Sequence, residues 1–170
     1  MVNQDPNVRV SREMYDAKLK LIKRLEKSSV KLTAITDQLT EGDETIKKVE
    51  SALSGVENKQ ADSIRKAGRA MTDSIKNIRD FILGKKQEKQ GTGTPYEVTA
   101  NGRLLSTVLS ILGKNKIPDA QEFRLTDEVE YLVKQAMDRS NHFFSGKWKE
   151  YQAQVESMPV KMFKDYKEME

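Results

Sequence analysis

The sequence predicts an all-α fold: an antiparallel four-helix bundle of long, coiled-coil-like helices with one shorter helix. Three observations predict it. Apolar residues recur at spacings of three and four along most of the chain. Strict alternation of apolar and polar positions never persists. The chain is 33% charged against 36% hydrophobic, a balance that suits slender helices hiding a narrow stripe and leaving the rest wet. With 170 residues it is expected to form a single domain over 1–170, with helices at roughly 11–41, 44–83, 98–112 and 118–157.

The first helix is expected to start at Ser11, an N-cap type, with Glu13 in the first turn where a negative charge suits the helix dipole. Met14, Lys18, Leu21, Leu25, Ser28, Leu32, Ile35 and Leu39 follow a heptad spacing, widened at the start by Tyr15, Leu19 and Ile22. Gly42 reads as the end of that helix and Asp43 or Thr45 as the start of the next. Ile46, Val49, Leu53, Val56, Ala67, Met71, Ile75, Ile78 and Ile82 then continue at helical spacing, with Gln60 and Ile64 bridging the middle and Gly84 closing the run. Gly55 and Gly68 fall inside it; they could permit close helix approach, but the leading expectation is a weak spot of about 1 kcal/mol relative to Ala that packing must offset.

Residues 84–94 contain nothing apolar and repeat glycine, so they predict a flexible exposed loop. No strand-to-helix turn with a following Lys-Ser/Thr makes it a phosphate cradle. The shorter helix carries Val98, Leu104, Leu105, Val108, Leu109, Ile111 and Leu112, which cover more than half its circumference. It is expected to be buried against the long helices and to stop at Gly113. Pro118 opens the last helix, Asp119 and Glu122 lie near its first turn, and Phe123, Val129, Leu132, Ala136, Phe143, Tyr151 and Val155 trace its inner face. Ser145-Gly146 predicts a kink or break. Met158-Pro159 ends the helix, and the tail with Phe163 and Tyr166 is expected to fold back on the bundle.

The composition argues against several function classes. There is one histidine, His142, and no cysteine, so no His/Cys metal cluster can form. Carboxylate pairs such as Asp127/Glu130 and Glu128/Asp138 are ordinary on charged helices, so neither a metal nor a cofactor is expected. His142, within Asn141-His142-Phe143-Phe144, reads as a packed or edge histidine and not as a catalytic base. Net charge is +4, distributed as +2, +3, +2 and −3 over 1–42, 43–90, 91–117 and 118–170, so both signs are interspersed as on a solvated helix surface. Lys85, Lys86 and Lys89 form a basic spot without interleaved aromatics, which gives nucleic acid no stacking platform. No run approaches the roughly 20 apolar residues of a membrane span. Met1 to Pro6 has no apolar stretch of the secretory-signal kind. Phe143, Phe144, Trp148 and Tyr151 lie within nine residues and read as a plug at one end of the bundle or, alternatively, as a glycan or peptide pocket.

Several of these segments resemble a known family. Asp5-Pro6-Asn7-Val8-Arg9-Val10-Ser11 before a long helix, Ile75-Lys76-Asn77-Ile78-Arg79, Gly102-Arg103-Leu104-Leu105, Pro118-Asp119-Ala120-Gln121, Asn141-His142-Phe143-Phe144, Trp148, Phe163 and Tyr166 resemble the C-terminal helical region of large bacterial sortilin-like, BNR-repeat β-propeller proteins, often labelled glycosyl hydrolases. The resemblance spans nearly the whole chain, but its motifs are helix-packing patterns. The propeller's Ser-x-Asp-x-Gly-x-Thr-Trp hairpin is absent, so a hydrolase label finds no matching residue. What the resemblance implies is a C-terminal fragment of an exported parent, periplasmic or extracellular, with the parent's own β-rich domains as partners. The expected function is that of a non-enzymatic structural or interaction module that binds no nucleic acid and does not insert in membranes, with a second copy of the chain as the other candidate partner.

Overall fold

The computed structural model describes residues 11–85 and 98–158. These form five helices, α1 (Arg12–Ala52), α2 (Lys59–Leu83), α3 (Ala100–Gly113), α4 (Ala120–Ser145) and α5 (Lys147–Glu156), and no strand occurs among the described residues. The fold is therefore an all-α bundle. Most of the expected loop 84–94, the lysines Lys86 and Lys89, the segment Asp5–Val10 and the tail with Phe163 and Tyr166 lie outside the described residues.

α1 starts where expected, with the Ser11 hydroxyl accepting from the Met14 N–H at 3.1 Å. It does not stop at Gly42. That glycine is buried mid-helix, and α1 runs on to Ala52, about 60 Å in all. The physical reason is the seam itself: Leu39, Gly42 and Ile46 continue the same three-four spacing and are all buried. The break falls instead at 53–58, where Gly55 takes φ +83 and the Asn58 side chain caps α2 by accepting from Ala61 N–H at 2.7 Å. Arg65 pins this turn by donating to the Val56 carbonyl at 2.6 Å. The single helix expected over 44–83 is thus the last quarter of α1, a turn and α2.

Gly68 corrects a second expectation. A Cβ there would lie 3.3 Å from the Tyr151 hydroxyl and 3.4 Å from Ile46 Cγ2, so this glycine marks a close approach of three helices rather than a mere weak spot. Gly84 ends α2 with φ +90, as expected. α3 begins two residues later than expected, capped by Thr99, and Gly113 is its last residue. α4 begins after Pro118: Asp119 is its N-cap and Glu122 completes a reciprocal capping box. Ser145-Gly146 breaks the last helix into α4 and α5.

The helix directions follow from side-chain pairings. Arg79 bonds Thr40 at 2.9 Å, and Gly68 faces Ile46, so α2 runs antiparallel to α1. Lys18 donates to the Lys114 carbonyl, and Asn101 shares a hollow with Ser29 and Leu32, so α3 also runs antiparallel to α1, beyond the end of α2. Arg24 binds Asp127 and Glu130 while Gly42 faces Phe144, so α4 runs parallel to α1. The cross-section is accordingly three rods: α1, the pair α2–α3 laid end to end, and the pair α4–α5. The 25 and 14 residues of α2 and α3 together nearly match the 41 of α1. One apolar core joins all of them, including Leu21, Leu39, Ile75, Ile111, Val129 and Phe143.

Candidate functional site

The aromatic group expected near the end of the last helix is assembled by the α4–α5 break. Gly146 N–H bonds back to the His142 carbonyl at 3.1 Å, and the chain restarts at Lys147, so Trp148 swings alongside Phe143 and Phe144. Ring centroids are 4.9 Å apart for Phe143–Phe144, 5.9 Å for Phe143–Trp148, 5.6 Å for Phe144–Trp148 and 6.0 Å for Trp148–Tyr151, in edge-on or tilted arrangements that suit aromatic quadrupoles. Phe143 and Tyr151 are buried, whereas Phe144 and Trp148 are half-buried. The Tyr151 hydroxyl is directed at Gly68 and has no hydrogen-bond partner among the described residues. Burial, with the nearby Glu50 charge, raises its pKa. Of the four rings, only Trp148 and Tyr151 border an open groove, of about 370 Å³, between α5 and α1.

A broad concavity, about 1280 Å³ between α1 and the C-terminal half of α2, is rimmed by Asp43, Asp73 and Asp80 together with Lys47, Lys76, Arg79 and Lys85. Neither sign of charge converges there. His142 is exposed on α4. Three of the four carboxylates singled out from sequence are engaged in ion pairs. Arg24 holds Glu130 at 2.7 Å and Asp127 at 2.5 Å, which raises the guanidinium pKa and lowers that of Glu130. Arg103 holds Glu128 at 3.0 Å, while Asp138 stands apart on the exposed surface. Among the described residues no group of three or more His, Cys, Asp or Glu comes together as metal ligands would.

One buried charge tightens the α3–α4 link. Glu122 is 1% exposed, accepts from the Lys114 ammonium and from the Asp119 N–H at 3.0 Å, and these bonds hold its pKa below the ordinary value. Lys116 does the same for Asp119, whose carboxyl lies well below its usual range. Comparison with family models, curated proteins and solved structures finds no match to this chain.

α3 departs from its expected burial. Only Ala100, Thr107 and Ile111 are buried, while Leu105, Leu109 and Leu112 are 56%, 61% and 59% exposed. These three share one face at i, i+4 and i+7. Asn101, Gly102, Ser106 and Gly113 complete that face, so it carries no charge; the helix's one charged residue, Arg103, is turned to Glu128. Because Lys18 meets the end of α3, the exposed Tyr15 and Leu19 of α1 lie at the same end of the molecule. The missed signal was arithmetic: apolar residues covered more than half the circumference, and a helix flanking two rods can bury only part of it.

Proposed function

We propose that the chain is a non-enzymatic helical interaction module, and that its docking face is the uncharged leucine row of α3 together with the start of α1. The observation that carries this reading is the exposure of Leu105, Leu109 and Leu112 in one row on a bundle whose longer helices bury most of their apolar stripes. Contiguous exposed apolar surface of this kind marks interaction sites more often than it is neutral decoration.

The family resemblance supplies the partner. In this reading the chain is the C-terminal helical region of an exported sortilin-like, BNR-repeat protein, its α1 seam packs in coiled-coil fashion, and the α3 face closes on a β-rich domain of the same parent. Tether geometry supports this. A domain joined ahead of residue 1 would enter α1 at the end where the face lies, separated from Ser11 by ten residues, which span at most about 35 Å. Such a short link raises the local concentration of the partner to the millimolar range.

The test is calorimetric titration of this chain with a β-rich domain encoded ahead of it. Binding is expected, and Leu105→Glu with Leu109→Glu should abolish it while leaving the helical circular dichroism intact. Equal binding by the double variant would overturn the reading. Light scattering on the same samples reports any self-association through this face, and turnover of a glycoside by the isolated chain would contradict the non-enzymatic part.

An alternative, a glycan or peptide site on the aromatic cluster, is favoured only by the groove beside Trp148 and Tyr151. A fluorescence titration of Trp148 with glycans and peptides decides it.

A further inference from the structure

Glu122 is the only charged side chain among the buried residues described. It stands in the first turn of α4, next to the end of α3 that carries Leu109 and Leu112. That end of α3 has a thin seat. Of residues 108–113 only Ile111 is buried, and no basic residue lies in the last turn to complement the helix dipole.

The hold comes from other elements. Lys18 of α1 donates to the Lys114 carbonyl, and the Lys114 ammonium reaches one oxygen of Glu122. The other oxygen of Glu122 accepts from the Asp119 N–H at 3.0 Å. One carboxylate therefore ties the end of α3 to the start of α4 and, through Lys114, to α1. The charged groups around it are Lys18 from α1, Lys114 and Lys116 from the α3–α4 link, and Asp119 from the α4 cap, which takes up Lys116. At the other end of α3 the Arg103–Glu128 pair meets at 3.0 Å with Glu128 40% exposed, a solvated contact that holds little.

A carboxylate withdrawn from water keeps its charge only while its donors stay in place. Protonation replaces the charge-assisted bond to Lys114 with a neutral one. Lys114 is already 37% exposed, so its freed ammonium can turn into solvent. The donors hold the Glu122 pKa below the ordinary value. The tie is thus intact at neutral pH and is lost as the pH falls through the folded value.

We propose that Glu122 is a positioning residue for the α3 face: ionised, it holds Leu109 and Leu112 in the row that a partner reads, and protonated it lets the last turns of α3 loosen, so that docking is released in acid. The docking consequence rests on the function proposed above; the loosening of α3 does not.

Hydrogen exchange of the α3 amides, taken relative to core amides of α1, reads the tie without any partner. Glu122→Gln removes the charge while glutamine can still accept the cap bond from Asp119 N–H. At neutral pH the amides of residues 109–114 are expected to exchange about tenfold faster in this variant than in the wild type, relative to α1. The wild type should reach that ratio on acidification, and the variant should change little. Phe143→Ala, which weakens the α4–α5 end of the bundle, should leave the ratio unchanged and so separates a local tie from a general loss of stability. In the calorimetric titration with the β-rich domain, Glu122→Gln should bind about tenfold more weakly at neutral pH. Equal relative exchange in the wild type and Glu122→Gln overturns the proposal, and so does faster exchange with unchanged affinity. If the wild type binds no β-rich domain, the docking reading fails and exchange still decides whether Glu122 positions α3. Should Glu122→Gln not fold, Lys114→Gln makes the same comparison from the other side of the pair.

Discussion

Replacing Gly42 and Gly55 separately by alanine should move stability in opposite directions. Gly42 lies inside a 41-residue helix with φ in the ordinary negative range, since the only positive-φ glycines among the described residues are Gly55 and Gly84. Alanine in a helix interior gains about 1 kcal/mol over glycine. Its Cβ would meet Ile75 Cδ1 at 3.4 Å and Phe144 Cε1 and Cζ at 3.6 Å, which is ordinary contact with the ends of movable side chains. A few tenths of a kcal/mol of adjustment offset part of the gain. The net expectation for Gly42→Ala is a stabilisation of about 0.5–1 kcal/mol, or a melting temperature higher by about 1–4 °C. Gly55 has open space around it but φ +83, a conformation that penalises any Cβ by about 1–2 kcal/mol. Gly55→Ala should therefore destabilise by about that much. Urea unfolding followed by circular dichroism measures both, with unchanged slopes as the check that only stability moved. If Gly42→Ala is the destabilising change and Gly55→Ala is neutral, α1 ends at Gly42 and the three-rod account fails.

Other perturbations probe separate links. Glu122→Gln should cost about 1–2 kcal/mol at neutral pH, because a charge-assisted bond to Lys114 is replaced by a neutral one. The folded pKa of Glu122 is depressed, so its contribution is present above the unfolded value and lost as pH falls through the folded one; the wild-type and variant melting temperatures should converge in acid. A double-mutant cycle on Arg24→Ala and Glu130→Ala should give a coupling below about 1 kcal/mol, discounted for partners that are 30% and 43% exposed; a coupling well above that would show the pair to be far less solvated than this packing of α1 and α4 makes it. Phe143→Ala should cost about 3–4 kcal/mol as a buried ring is lost. His142→Ala, on the exposed side of the same turn, should stay within about 0.5 kcal/mol in the same melts.

The heptad seam of α1 was legible in detail. Met14, Leu21, Leu25, Ser28, Leu32, Ile35 and Leu39 are all buried, and even the off-pattern Lys18 has a reason, since its ammonium reaches the Lys114 carbonyl. The helix end was not legible, because glycine's local preference for a C-terminal position competes with the seam. Leu39 to Ile46 is one full heptad across Gly42, and burial along that heptad outweighs about 1 kcal/mol of glycine penalty. The true break required noticing a turn glycine followed three residues later by an N-cap asparagine, Gly55 and Asn58. The capping box of α4 and the break at Ser145-Gly146 were readable because both depend on residues close in sequence.

Helix direction depends on distant residues, and there short-range reading gives little purchase. Four consecutive helices with short links imply antiparallel neighbours, yet α2 and α3 share a direction because their combined length matches α1. The same arithmetic accounts for the candidate docking face. A three-rod section offers α3 two neighbours, α1 and α4, and burying Ala100, Thr107 and Ile111 against them saturates the side that it presents inward. A polar outer face would then serve the bundle equally well, since leucine has no advantage over glutamine or lysine at a solvated helix position. Leu105, Leu109 and Leu112 stand there instead, without a charge on the whole face. Packing among the described residues does not account for them, and the proposed docking face rests on that. If Leu105→Lys, Leu109→Lys and Leu112→Lys together leave every association of the protein unchanged, that step of the argument is wrong.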